Sequence, residues 1–160
     1  LLAFLLTAAA GFTLGVFFVD HTTGSRPDGV AERFRGSEAM GVPLEQLPAH
    51  AEIQYEKSPS ELLNITHTHI LALATLFLLT GGIFLLSSGI PPILKSFLVV
   101  EPFASLLVTF GGMWLLRYHS PAWGWVIAAS GVLMTVCFYV MVGISLVQLA
   151  SRNGEEYVEE

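Results

Sequence analysis

Apolar residues in this chain fall in four long blocks, at residues 1–19, 70–86, 93–116 and 123–149, with the polar residues gathered between them. The first block is uncharged from end to end and too uniformly apolar for an amphipathic surface helix. A run of about 20 apolar residues is long enough to cross the hydrocarbon core as a helix. Four membrane spans are therefore predicted, at about 1–19, 66–87, 93–116 and 123–149. The first lacks the basic segment before it and the small-x-small site after it that mark a cleaved signal peptide, so it reads as a span. A chain that opens on Leu rather than Met also implies a missing short N-terminal piece.

The punctuation between blocks sets the connections. Residues 20–57 are polar and rich in Gly and Pro, and hold eleven of the twenty Asp, Glu, Lys and Arg side chains. They read as a loop outside the bilayer. A short helix near 27–36 is expected within it, with Pro27 at its start and Gly36 as its stop. The stretch through Pro43, Pro48 and His50 reads as irregular chain. Ser58-Pro59-Ser60-Glu61 is a helix start: a capping Ser, Pro in the first turn, and Glu three residues after the cap. The second helix thus begins about two turns before the predicted span at 66–87. Residues 87–92 form a tight turn, and Ser120-Pro121 predicts the N-cap of the last helix.

Short turns between the second, third and fourth spans force antiparallel neighbours. The expected fold is all-α: an integral membrane up-down four-helix bundle, a single domain over 1–160, with one large extramembrane loop between helices 1 and 2. Gly11 and Gly15 form a small-xxx-small pattern that supports close packing of the first helix.

Composition narrows the function classes. Of 160 residues, 53% are hydrophobic and 12% charged, against about 25% charged in soluble domains, and the mean hydropathy is +0.66. With a net charge of -6, a disordered tail, a nucleic-acid binder and most soluble enzymes are excluded. The single Cys137 excludes an internal disulfide and a zinc site of several thiolates. No GxSxG elbow, phosphate-binding Gly-rich loop or HExxH occurs.

Connectivity puts the 20–57 loop and the 117–121 turn on one membrane face, and the 87–92 turn and the C-terminal tail on the other. Arg26, Arg33, Arg35, Lys57 and Arg117 lie on the loop side, against Lys95 and Arg152 opposite. Read literally, the positive-inside rule makes the loop cytoplasmic. The loop is net acidic, however, and the missing N-terminal piece lies on the poorer side. The preferred orientation is a periplasmic loop on a bacterial inner-membrane protein.

All five histidines share the loop face. His21 closes helix 1, His67 and His69 open helix 2, His119 closes helix 3, and His50 sits in the loop. Ends of antiparallel helices converge, so these imidazoles are expected at one depth. Imidazole is the commonest metal ligand and often holds haem iron. His67 and His69, two apart, point to nearly opposite faces of their helix, which favours haem b or two separate roles over a compact metal site. The candidate cofactor residues are therefore His21, His67, His69 and His119, for haem b. His67, His69 and His119 are also candidates for copper or zinc. The competing reading is interfacial, hydrogen-bonded histidines and no cofactor, beside a belt of Trp114, Tyr118, Trp123 and Trp125.

Glu101 is the only acidic residue inside a span and lies near the midplane. A charge there costs at least about 2.5–3.5 kcal/mol, so a polar setting is required. Pro102 removes a backbone bond to Leu98 and should kink the helix. Thr80 and Tyr139 are expected at matching depth, with Ser105 one turn along. Glu101 and Tyr139 are the candidates for proton or quinone handling, or else Glu101 locks helix packing. Lys95 reads as a snorkelling anchor.

In outline, four short-looped helices with histidines at one membrane face are similar to small b-type cytochrome subunits. The sequence reading is a membrane subunit of a respiratory-type electron-transfer complex, binding or contacting a haem b or metal centre, rather than a stand-alone enzyme. Its partners would be the lipid bilayer, other membrane subunits, and a quinone or a periplasmic electron carrier. The alternative is a cofactor-free structural accessory subunit. A third alternative is a small transporter or metal-handling protein using Glu101 in a polar path.

Overall fold

The computed structural model describes residues 1–41 and 53–156, and these form helices with no strand. They are α1 (Leu2–Thr23), α2 (Pro27–Arg35), a 3-10 turn (Glu38–Met40), α3 (Pro59–Leu85), α4 (Pro92–Tyr118) and α5 (Trp123–Glu156). Four of them, α1, α3, α4 and α5, are long and apolar enough to cross a membrane. The chain is a helical membrane bundle. Pro43, Pro48 and His50 lie outside the described residues.

Local chemistry sets the helix ends. At the start of α3 the Ser58 hydroxyl accepts from the Glu61 backbone N–H at 3.3 Å, and the Glu61 carboxylate accepts from the Ser58 N–H at 2.8 Å. This reciprocal pair satisfies two donors that the first turn leaves without helical partners. α1 ends where Gly24 turns left-handed (φ 60°) and its N–H reaches the Asp20 carbonyl. α5 starts at Trp123 rather than at Pro121. Trp123 and Gly124 donate to the Ser120 and Pro121 carbonyls, so Ser120-Pro121 forms a tight turn ahead of the helix. α4 runs on to Tyr118 through Pro102.

The bundle is organised around α4 and α5, whose antiparallel contact is the most extensive. The Thr109 and Ser130 hydroxyls bond across it at 2.8 Å. α3 lies over both: the Trp114 indole donates to the Thr66 hydroxyl at 3.1 Å, and Phe77 meets Phe103 edge-on at 6.1 Å. α1 closes the bundle against α3 and α5, with Phe12 stacked on Phe138 at 4.2 Å. Leu5, Phe77, Leu106, Phe110 and Phe138 form the shared core. Only 11% of the apolar window of α1 is buried, against 39% for α4. Lipid tails are as apolar as Leu, so outward leucines need no protein cover.

Each membrane face is closed differently. On the turn side, Gln148 bonds both the N–H and the carbonyl of Ser88 at 2.9 Å, and Lys95 donates to the Leu85 carbonyl at 3.0 Å. On the loop side, α2 sits as a cap. Its Val30, Ala31 and Phe34 are buried with Leu62, Leu116 and Ile127. Arg35 donates to the Leu116 carbonyl at 3.0 Å, and Arg117 donates to the Lys57 carbonyl and pairs with Glu56 at 2.9 Å. Both arginines thus tie the chain around α2 to the last turn of α4, where carbonyls lack helical donors.

Candidate functional site

The histidine side is built from the ends of α1, α3 and α4. His69 is the most constrained of its imidazoles. Its Nδ1 lies 2.9 Å from the Ile65 carbonyl, one turn back, and its ring packs on Phe110 of α4 at 5.6 Å. A carbonyl only accepts, so Nδ1 carries the proton and Nε2 keeps its lone pair in the neutral ring. The side chain is exposed. A held ring with a free Nε2 is the arrangement that metal-ligating histidines use, where the second nitrogen is fixed by a carbonyl or carboxylate.

The other histidines are placed by register. Trp114 against Thr66 and Phe110 against His69 fix α4 on α3. On that register His119 is level with the first turn of α3, roughly 12 Å along the axis from His69 at 1.5 Å per residue. Phe12 against Phe77 sets α1 on α3, and the same spacing brings His21 about level with His67 and His69. His21, His67, His69 and His119 are all exposed. Among the described residues no three His, Cys, Asp or Glu side chains come together as a group able to hold a metal ion. Sharing one face is therefore not sharing one site: His67 and His69 lie two to three turns inside α3, level with His21, whereas His119 stands just past the end of α4, level with the start of α3.

The second polar region lies inside the bundle. Glu101 is buried, 7% exposed, and its Oε1 accepts from the Ser105 hydroxyl one turn on. Among the described residues no group hydrogen-bonds its Oε2 or the buried hydroxyls of Thr80 and Ser145. Tyr139 turns away from this region, its hydroxyl meeting Thr13 of α1 at 2.6 Å. Cys137, Leu98 and Met141 pack together below Glu101 with Phe84. The Thr109–Ser130 pair extends the hydroxyl row one further turn from Ser105, and Ser130 donates to the Ile127 carbonyl at 3.1 Å. Sequence reasoning passes over Thr109 and Ser130. The signal that would have found Thr109 is the spacing of Glu101, Ser105 and Thr109, four residues apart on one helical face, whereas Ser130, on α5, has no such signal.

Beside this row, α4 and α5 part on their outer surface. A groove of about 430 Å³ is lined by Ser105, Val108, Trp125, Val126, Ala129, Ser130 and Leu133. Its rim residues Val108, Trp125, Val126, Ala129 and Leu133 are exposed on the lipid-facing side of two spans.

A family model, Aq_1264_TM, described as a transmembrane helical domain, matches residues 24–156. No curated protein and no solved structure matches the chain. The matched region takes in α2 to α5, and hence His67, His69, His119 and Glu101, and leaves out α1 with His21.

Proposed function

The chain belongs to this transmembrane helical domain family and is an integral membrane protein in contact with the lipid bilayer; from that premise we propose that it serves as a membrane subunit of an electron-transfer complex. In this reading His69 contributes one ligand to a haem b or metal centre completed by a partner subunit. The observation that carries it is the exposed His69 ring, held through Nδ1 by the Ile65 carbonyl with Nε2 free. His21 and His67 are about level with it, and His67, two residues away on α3, points to nearly the opposite face and takes no part in that ligation. His119, set off along the axis, belongs to the cap that faces the partner's extramembrane part. We place the loop face on the periplasmic side of a bacterial inner membrane, where a soluble electron carrier would dock.

The supporting physics is exposure. A bis-histidine haem needs two imidazoles on opposite faces, and this chain offers isolated, outward ones. A site completed between subunits uses such histidines without rearranging the bundle.

The test is a visible spectrum of the complex isolated from native membranes through a tag on this chain. A Soret band with a sharp reduced α-band is expected, shifted or bleached by His69→Ala and less affected by His119→Ala. An unchanged spectrum in His69→Ala with assembly intact would remove the ligand role. The second reading, a cofactor-free accessory subunit, is favoured by the exposure and separation of all four described histidines. It predicts a complex whose spectrum and metal content are indifferent to every one of these substitutions.

A further inference from the structure

We infer that the groove between α4 and α5 is a binding site for a lipid-soluble molecule with a hydroxyl-bearing aromatic head, of the alkyl hydroquinone class. This stands apart from the histidine reading and rests on different residues. The groove is a shallow depression, wide open on its lipid side, and it shares with small-molecule sites a mostly apolar lining with a few placed polar groups. Val108, Val126, Ala129 and Leu133 supply apolar walls, open to the bilayer side, for an alkyl tail. Trp125 supplies an aromatic face at the groove's outer end, against which a flat ring packs.

The hydrogen-bond direction of the floor selects the head group. The Ser105 proton is donated to Glu101 Oε1, so Ser105 presents acceptor lone pairs and no free proton to the groove. Ser130 donates to the Ile127 carbonyl, so Thr109 is the donor in its bond to Ser130 and Ser130 likewise keeps only acceptor capacity. A floor with two oxygens and no free donor pairs with a hydroxyl that gives protons, and leaves a quinone carbonyl unpartnered. Within the bilayer core neither form finds water to bond with, so the hydrogen bonds that only the hydroquinone can give to the two serines favour it by about tenfold. Glu101 is a positioning residue here: it holds the Ser105 proton away from the groove, and among the described residues nothing hydrogen-bonds its Oε2.

The experiment is equilibrium binding of a radiolabelled decyl hydroquinone to the full chain in lipid nanodiscs, with the decyl quinone as comparison. Saturable binding is expected, at least about tenfold tighter for the hydroquinone than for the quinone. Ala129→Phe fills the groove from the lipid side without touching the core and should abolish the saturable component. Ser105→Ala should reduce the preference for the reduced form. Ser105 is buried, so its thermal midpoint is measured alongside; if that variant does not fold, Ser130→Ala takes its place. Binding that equals that of empty nanodiscs, equal affinity for both forms, or indifference to Ala129→Phe would each overturn the assignment.

Discussion

Two glycines decide how closely the cap approaches the bundle. A Cβ on Gly29 would run into the Thr23 carbonyl at the end of α1, and one on Gly124 would sit 2.5 Å from the Pro27 carbonyl. Neither obstacle is a flexible side chain, so relief requires the backbone of α2 to lift. Overpacking of this kind typically costs 1–3 kcal/mol. Gly29→Ala and Gly124→Ala are expected to lower the unfolding midpoint in detergent by about that equivalent. Gly11 has nothing near its absent Cβ, so Gly11→Ala should be neutral or, by removing helix-interior glycine, stabilising by roughly 0.5–1 kcal/mol. Equal effects at the three positions would show that backbone proximity is not what the cap depends on.

At the scale of the helix, ends were legible from the chain and rotations were not. Ser58-Pro59-Ser60-Glu61 reads as a capping box because its chemistry is local, four consecutive residues satisfying one another, and the same bonds stand in the structure. Ser58→Ala should therefore destabilise by about 1 kcal/mol. Glu61→Ala added to it should contribute less than it does alone, since the two share the box; full additivity in chemical unfolding would contradict this. No comparable local signal says which way a span faces. With lipid outside and leucine inside, apolar residues are tolerated all round, and the 3.6-residue stripe that orients a soluble helix is lost. That is why Tyr139 reads as a neighbour of Glu101 from its depth and stands instead against Thr13 of α1. It is also why four histidines at one face suggest a shared site, whereas their relative heights follow only from pairs such as Phe110–His69. Glu101 with Ser105 was readable, because both lie one turn apart on one helix.

For the whole molecule, the two faces of the bundle differ in how they are tied, and this fixes a relation between surface positions that holds whichever way the protein sits in the membrane. The cap residues around α2 and the α4–α5 turn belong to one side, joined through Arg35 to the Leu116 carbonyl and Arg117 to Glu56. The α3–α4 turn belongs to the other, joined through Gln148 to Ser88. Cys137 is 2% exposed within the core, so the native chain should not react with a membrane-impermeant maleimide until it is unfolded. New cysteines then report on sidedness without a background: Glu38→Cys and Ala122→Cys, both exposed, should label from the same side of sealed vesicles, and Ser88→Cys only from the other. Adding Arg35→Met should leave that relation unchanged, because the number of spans between the labelled positions fixes it whichever way the chain is oriented. It should nevertheless speed labelling of a cysteine placed at the buried Ala31, because the α2 cap then loses its bond to the end of α4. Labelling of Glu38→Cys and Ala122→Cys from opposite sides would break the four-span threading itself, and the lipid-facing groove and the histidine surface would lose their common frame with it.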